Sequence, residues 1–90
     1  MGMLLLEMMI MEIEDELGIA IIEYFSYEVS VEELCAHIRN LTNLSTDEIW
    51  NFVCKKVADH SGVNGIKISE EQVTEDMIID RHCVVRQKIQ

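Results

Sequence analysis

The chain has 90 residues and a formal net charge of -10, so it is long enough for one small domain with a single core. Hydrophobic residues make up 49% of it and proline is absent, which favours helices joined by short loops. The excess of acids argues against binding to nucleic acid or to an anionic membrane surface, because both need concentrated positive charge. We expect a single domain over 1–90. Its negative charge favours protein partners that present basic patches.

The first predicted element is an amphipathic helix from about Met3 to Leu17. Its apolar stripe recurs at helical spacing and consists of Leu6, Met9, Ile10, Ile13 and Leu17. Gly18 predicts the end of this helix, because glycine readily adopts the left-handed conformation of a C-terminal cap. Glu14, Asp15 and Glu16 oppose the helix dipole at that end. These acids therefore either serve a purpose other than stability or form a solvated face.

The segment from Ile19 to Val29 is ambiguous. Residues Ile19–Ile22 favour a strand by propensity, but the run is short and has no evident partner strand. We interpret the segment as a buried loop followed by a short turn or helix near Glu23–Tyr27.

Two further helices are predicted by their N-terminal caps. Ser30 with Glu33 forms a capping-box pattern, and Ser45 with Glu48 forms another. Gly62 marks the end of the last helix. The apolar faces of the two helices comprise Val31, Leu34, Cys35 and Ile38 in one, and Ile49, Phe52, Val53 and Val57 in the other.

The last third of the chain has weaker patterns. The apolar run Met77–Ile79 is expected to dock on the core, and residues 81–90 are expected to form a basic tail, either a frayed helix or disordered. The amphipathic helices can bury their stripes only against one another. The sequence therefore predicts an all-α fold, a small three- to four-helix bundle.

The cysteine pattern indicates a reducing compartment. Three cysteines without a secretion signal favour the cytoplasm. Cys35 and Cys54 fall on apolar helix faces and are expected to be buried, whereas Cys83 is expected to be exposed. Adjacent His82 and Cys83 suggest a nucleophile only weakly, because neighbouring side chains diverge. We expect neither catalysis nor a metal site, and no membrane span, since Glu7 interrupts the apolar start.

Four segments resemble consecutive parts of one known family once the two halves of the chain are exchanged. They are an acidic helix over Leu6–Ile19, a Ser-Val-initiated helix over Ser30–Ile38, a helix over Thr46–Val63, and an E-D-x-x-x-D motif over Glu75–Asp80. The family is that of the acyl carrier proteins. Residues 3–38 resemble its helices two to four, and residues 45–80 resemble its first helix and the loop that follows. The chain thus resembles a circularly permuted acyl carrier protein.

The resemblance implies a carrier site and a docking surface. In the family, 4'-phosphopantetheine is attached to a serine that follows an aspartate and opens the second helix. Asp80 matches that aspartate, but Arg81 stands where the serine belongs, and Met3 and Leu4 occupy the other side of the position. The acidic second helix of the family docks on basic patches of fatty-acid or polyketide synthases and transferases. The residues that correspond to the docking acids here are Glu7, Glu12, Glu14, Asp15 and Glu16.

Several functions remain open from the sequence. The chain is either a degenerate, non-catalytic carrier that acts by binding, or part of a longer or tandem carrier whose Asp-Ser pair precedes Met3. A different class of function is a small acidic interaction module or homo-oligomer without acyl carriage. In that case the apolar start Met3–Leu6 is a candidate for exchange between subunits.

Overall fold

The computed structural model describes residues 5–25, 27–63 and 65–87. In chain order the elements are helix α1 (Leu5–Leu17), a 3₁₀ turn (Ile22–Tyr24), strand β1 (Glu28–Ser30), helix α2 (Val31–Leu41), helix α3 (Thr46–His60), a second 3₁₀ turn (Glu70–Gln72), strand β2 (Met77–Asp80) and strand β3 (Val85–Gln87). Two predicted positions in the first helix, Met3 and Leu4, lie outside the described residues.

The helix ends follow the predicted capping signals. The hydroxyl of Ser30 accepts a hydrogen bond from the Glu33 N–H at 3.0 Å, and Ser45 with Glu48 forms a complete capping box. These bonds satisfy N–H groups that have no partner within their own helix. Gly18 follows α1 with a φ of 66°, which fits the left-handed cap.

The three strands form an antiparallel sheet in the order β1-β2-β3. Val29 of β1 lies opposite Ile79 of β2, which in turn lies opposite Val85 of β3. The predicted all-α bundle is therefore wrong, since the fold combines three helices with a sheet. Each strand has only three or four residues, too few for an alternating pattern to stand out. The pairing of β1 with β2 joins segments that are far apart in the chain, so no local sequence pattern predicts it.

The segment with the clearest local preference for a strand lies outside the sheet. Ile21 precedes a 3₁₀ turn over Ile22–Tyr24. Both the Ile21 and the Ile22 N–H groups donate to the Glu14 carboxylate. The Glu14 side chain thus supplies an acceptor that a neighbouring strand would provide in a sheet.

One hydrophobic core joins the helices to one face of the sheet. Its fully buried large side chains include Met9, Ile10, Ile13, Ile21, Val29, Leu34, Ile38, Val53, Val57 and Ile79. The expected docking of Met77–Ile79 on the core is confirmed for Met77 and Ile79, whereas Ile78 is half-buried. The helical or disordered tail expected from Arg81 onward is instead a hairpin turn that leads into β3, as far as Gln87. In the part of the chain described, no helix has the length and apolar character needed to cross a membrane.

Candidate docking surface and the turn after Asp80

The turn between β2 and β3 is organised by Asp80. Its Oδ1 accepts hydrogen bonds from the N–H groups of His82 at 2.8 Å and Val84 at 3.0 Å. Its main-chain carbonyl accepts from Cys83 at 2.9 Å. A short acidic side chain that binds nearby N–H groups is a common way to stabilise a tight turn. The Asp80 carboxylate therefore has a local structural role.

This turn lies against the first turn of α1. The Leu6 N–H donates to the Arg81 carbonyl at 3.1 Å, which satisfies one of the N–H groups left free at the start of a helix. The Arg81 side chain extends over the ring of Tyr27, with its guanidinium carbon 5.8 Å from the ring centroid. The residue after Asp80 thus lies beside the beginning of the acidic helix and carries a guanidinium group.

The serines in the described residues are engaged in local structure. Ser30 and Ser45 cap α2 and α3, as predicted. Ser69 is the N-cap residue of the second 3₁₀ turn, and its hydroxyl donates to Gln72 Oε1 at 3.3 Å. The buried Ser61 hydroxyl donates to the Ala58 carbonyl and accepts from the Ile68 N–H. Each of these hydroxyl groups therefore has a partner that fixes it within the fold.

Two of the five predicted docking acids bind a lysine of α3. Lys56 Nζ lies 2.5 Å from Glu12 Oε1 and also contacts Glu16. His60 Nε2 is 3.1 Å from the other oxygen of Glu12. Lys56 is only 6% exposed, so its stem fills space between the two helices while its ammonium group meets the carboxylates. Helix α1 is therefore joined to α3 by charge as well as by apolar packing.

The pKa values of this cluster reflect the pairing. Hydrogen bonding from Lys56 is the largest influence on Glu12, and it lowers the pKa of that carboxyl below its usual value. Burial alone would lower the pKa of Lys56, but its hydrogen bonds to Glu12 and Glu16 outweigh burial and raise it. Both groups are therefore held in their charged forms.

Glu14 also has an internal role. Its Oε2 accepts from the Ile21 N–H at 2.6 Å and from the Ile22 N–H at 2.9 Å. Ile21 directly precedes the first 3₁₀ turn and Ile22 is its first residue. The charge of Glu14 is therefore directed at the protein's own backbone.

Two exposed methionines lie beside the remaining acids on α1. Met8 is 49% exposed and Met11 is 41% exposed, and Asp15 follows them at helical spacing. Glu7 flanks the same side and is half-buried. We call Glu7, Met8, Met11 and Asp15 the docking face. The exposure of these two methionines is not predicted from the sequence above. Their i, i+3 spacing on the side opposite the buried stripe could have indicated it.

The cysteine of the hairpin turn is buried, which corrects the expected exposure of Cys83. It has a positive φ of 59° and is 1% exposed, whereas neighbouring His82 is exposed. Burial is the main cause that raises the pKa of the Cys83 thiol to about 11, so little reactive thiolate forms at neutral pH. Within 5–25, 27–63 and 65–87, no group of three or more His, Cys, Asp or Glu residues is placed to hold a metal ion.

Comparisons with models of protein families, with curated proteins and with solved structures find no match to this chain.

Proposed function

We propose that the protein is a non-catalytic, acyl-carrier-like binding protein that docks on basic surfaces of carrier-dependent enzymes without carrying an acyl group in this form. The observation that carries the proposal is the contact between the Leu6 N–H and the Arg81 carbonyl. It brings the turn after Asp80 to the start of the acidic helix, as expected if the two halves of a carrier were exchanged. The sheet is a departure from that family's helical plan, so the proposal concerns this junction and the surface of α1.

The absence of a hydroxyl at the junction supports a binding role over a carrying role. Phosphopantetheine transfer needs an oxygen nucleophile at the position after the aspartate, and Arg81 has none. The Asp80 carboxylate is also engaged by two backbone N–H groups of its turn.

The docking face supports the choice of partner. It combines the acids Glu7 and Asp15 with the adaptable side chains Met8 and Met11, which suit a surface that is basic and partly apolar. The net charge of -10 favours rapid encounter with such a surface. Three free cysteines in the described residues are consistent with the proposed cytoplasmic location.

Two measurements test the proposal. The protein is first incubated with a phosphopantetheinyl transferase and coenzyme A, and we expect no gain in intact mass. It is then added to a reaction in which the same transferase loads a genuine acyl carrier protein, and we expect slower loading because the two compete for one basic surface.

Variants distinguish docking from a general charge effect. The Glu7→Lys/Asp15→Lys protein should lose the inhibition, whereas Glu23→Lys/Asp59→Lys, which alters two exposed acids outside α1 and so changes the net charge equally, should keep most of it. A gain in mass with wild type would contradict the absence of carriage, and inhibition unchanged in the double variant would contradict docking through α1.

A homo-oligomer is the second candidate function, and the exposed Met8 and Met11 are the observation that favours it. An apolar pair on a helix surface is able to pack against a second copy. Light scattering over a range of concentrations tests it. A strict monomer would exclude this candidate, while a dimer that is lost in Met8→Gln/Met11→Gln would support it.

A further inference from the structure

A cleft of about 310 Å³ lies between α2, α3 and the segment before β2. Its apolar surface comes from Ile49, which is buried, and from Cys35 and Trp50, which are half-buried. Residues of α1 do not line it, so the cleft is separate from the docking face. Its volume is at the lower end of the range for ligand pockets, which suits a single side chain.

The mouth of the cleft is negatively charged. Three exposed carboxylates, those of Glu32, Asp47 and Glu75, line it together with the single guanidinium of Arg39. Three negative charges and one positive charge leave a formal charge of -2. Across the described parts of the chain, no ion pair within 4.0 Å involves any of these three acids.

A backbone hydrogen bond joins two of these acidic residues, Glu32 and Glu75. The Glu32 N–H, in the first turn of α2, donates to the Glu75 carbonyl at 3.1 Å. This bond anchors the segment before β2 to the start of α2. The two residues are therefore neighbours in the fold although they are far apart in the sequence.

The thiol of Cys35 lies in the field of these charges. Burial contributes most to raising its pKa to about 11, while Cys54 and the carboxylate of Glu75 raise it further and Arg39 opposes them. Glu75 and Arg39 thus both lie close enough to the Cys35 thiol to influence it.

We propose that this cleft receives one arginine side chain of a partner protein, with the guanidinium against Trp50 and among the carboxylates of Glu32, Asp47 and Glu75. A guanidinium stacks on an aromatic face and forms paired hydrogen bonds with carboxylates. Its three-carbon stem suits the apolar contribution of Cys35 and Ile49. An anion would be repelled, and an uncharged apolar group would gain no attraction from the carboxylates.

The test uses the only tryptophan of the chain, Trp50, as a fluorescent reporter of the cleft. Wild-type protein is titrated to millimolar concentrations with acetyl-Gly-Arg-Gly-amide, and with matched peptides that carry lysine or citrulline in place of arginine. We expect a saturable change in Trp50 emission with the arginine peptide, weaker binding in high salt, a smaller affinity for lysine and no binding of citrulline.

Charge-neutral variants then locate the contact. Glu32→Gln and Glu75→Gln should each weaken binding by about two- to fivefold, the range of a partly exposed ion pair. Glu23→Gln removes the same charge from an exposed site outside the cleft and should leave affinity nearly unchanged. Circular dichroism confirms that each variant is folded.

Three results would overturn the proposal. They are an unchanged Trp50 signal with the arginine peptide, equal affinity for the lysine peptide, and equal affinity of the Glu32→Gln/Glu75→Gln protein. Backbone amide NMR of the wild-type protein provides an independent reading, because the perturbed residues should cluster at the cleft. This test involves neither α1 nor the transferase, so its failure leaves the proposed function untouched.

Discussion

Lys56 Nζ lies 2.5 Å from Glu12 Oε1, and this contact links the acidic helix to the longest helix of the fold. The lysine is buried, whereas the side chains of Glu12 and Glu16 are 43% and 48% exposed. Water can therefore hydrate Glu12 and Glu16 if Lys56 is removed, but it can hardly reach the Lys56 ammonium group if the two carboxylates are removed. That difference has a measurable consequence for stability.

Removal of the carboxylates should cost more than removal of the lysine. In Glu12→Gln/Glu16→Gln the buried ammonium loses its charged partners, and we expect a loss of about 2–3 kcal/mol in the free energy of unfolding. In Lys56→Met the stem is kept and the exposed carboxylates hydrate, so we expect a loss of about 1 kcal/mol or less. Urea unfolding of the variants measures both values.

The exposed pair of Glu28 and Arg86 provides the control. Both side chains are about half exposed, so Glu28→Gln should change the free energy of unfolding by less than about 0.5 kcal/mol. If Lys56→Met and Glu12→Gln/Glu16→Gln lost equal free energies of unfolding, burial of the lysine would not explain the stability of the cluster.

Stability should fall at both ends of the pH scale through this cluster. The pKa of Glu12 is lowered from 4.5, so its contribution is complete above that value and is lost as pH falls through the folded-state pKa. The pKa of Lys56 is raised from 10.5, so its contribution is complete below that value and is lost as pH rises through the folded-state pKa.

The acid limb can be assigned with one variant. The stability difference between wild type and Glu12→Gln, measured by urea unfolding, should be largest at neutral pH and shrink as the pH falls from 4.5 through the lowered pKa of Glu12. A difference that stayed constant over this range would mean that protonation of Glu12 does not cause the loss of stability at low pH.

Glu14 should matter for stability more than its neighbour Asp15. Glu14→Ala leaves the Ile21 and Ile22 N–H groups without their acceptor, which we expect to cost about 1–3 kcal/mol. Asp15→Ala, at an exposed position on the same helix, should stay within about 0.5 kcal/mol of wild type. Thermal or urea unfolding compares them, and faster amide exchange at Ile21 and Ile22 in Glu14→Ala would locate the effect.

Gly18 should resist substitution for backbone reasons alone. A Cβ atom added there meets no atom within 4 Å, but the φ of 66° is left-handed. Gly18→Ala should therefore cost about 1–2 kcal/mol, and Gly18→Asn should cost less because asparagine tolerates this conformation. Equal stability of the alanine variant and wild type would contradict this explanation.

The features that could be predicted from the sequence are the ones encoded locally. Ser30 and Ser45 predicted the starts of α2 and α3, because a capping residue and its N–H partner are three positions apart. The sheet was missed because Val29 and Ile79 meet only through the fold and their strands are too short to show an alternating pattern. The basic hairpin residues resemble a tail in the sequence for the same reason.

The candidate site was predictable only in outline. The acids of α1 were identified, but the sequence contains no signal that Lys56 pairs with Glu12 and Glu16, since that contact depends on how the helices pack. The role of Glu14 depends in the same way on the path of the loop after α1. Glu12 and Glu16 pair with Lys56, and Glu14 binds backbone N–H groups, so Glu7 and Asp15 are the acids that we keep in the proposed docking face.

The most direct test of docking through α1 is an amide NMR titration of the ¹⁵N-labelled protein with an unlabelled phosphopantetheinyl transferase. Docking through α1 predicts that the strongest perturbations fall on the docking face, at Glu7, Met8, Met11 and Asp15. They should disappear in Glu7→Lys/Asp15→Lys but persist in Glu23→Lys/Asp59→Lys, which changes the net charge equally at exposed sites outside α1. Perturbations that avoid α1, or that are unchanged in the double variant, would contradict it.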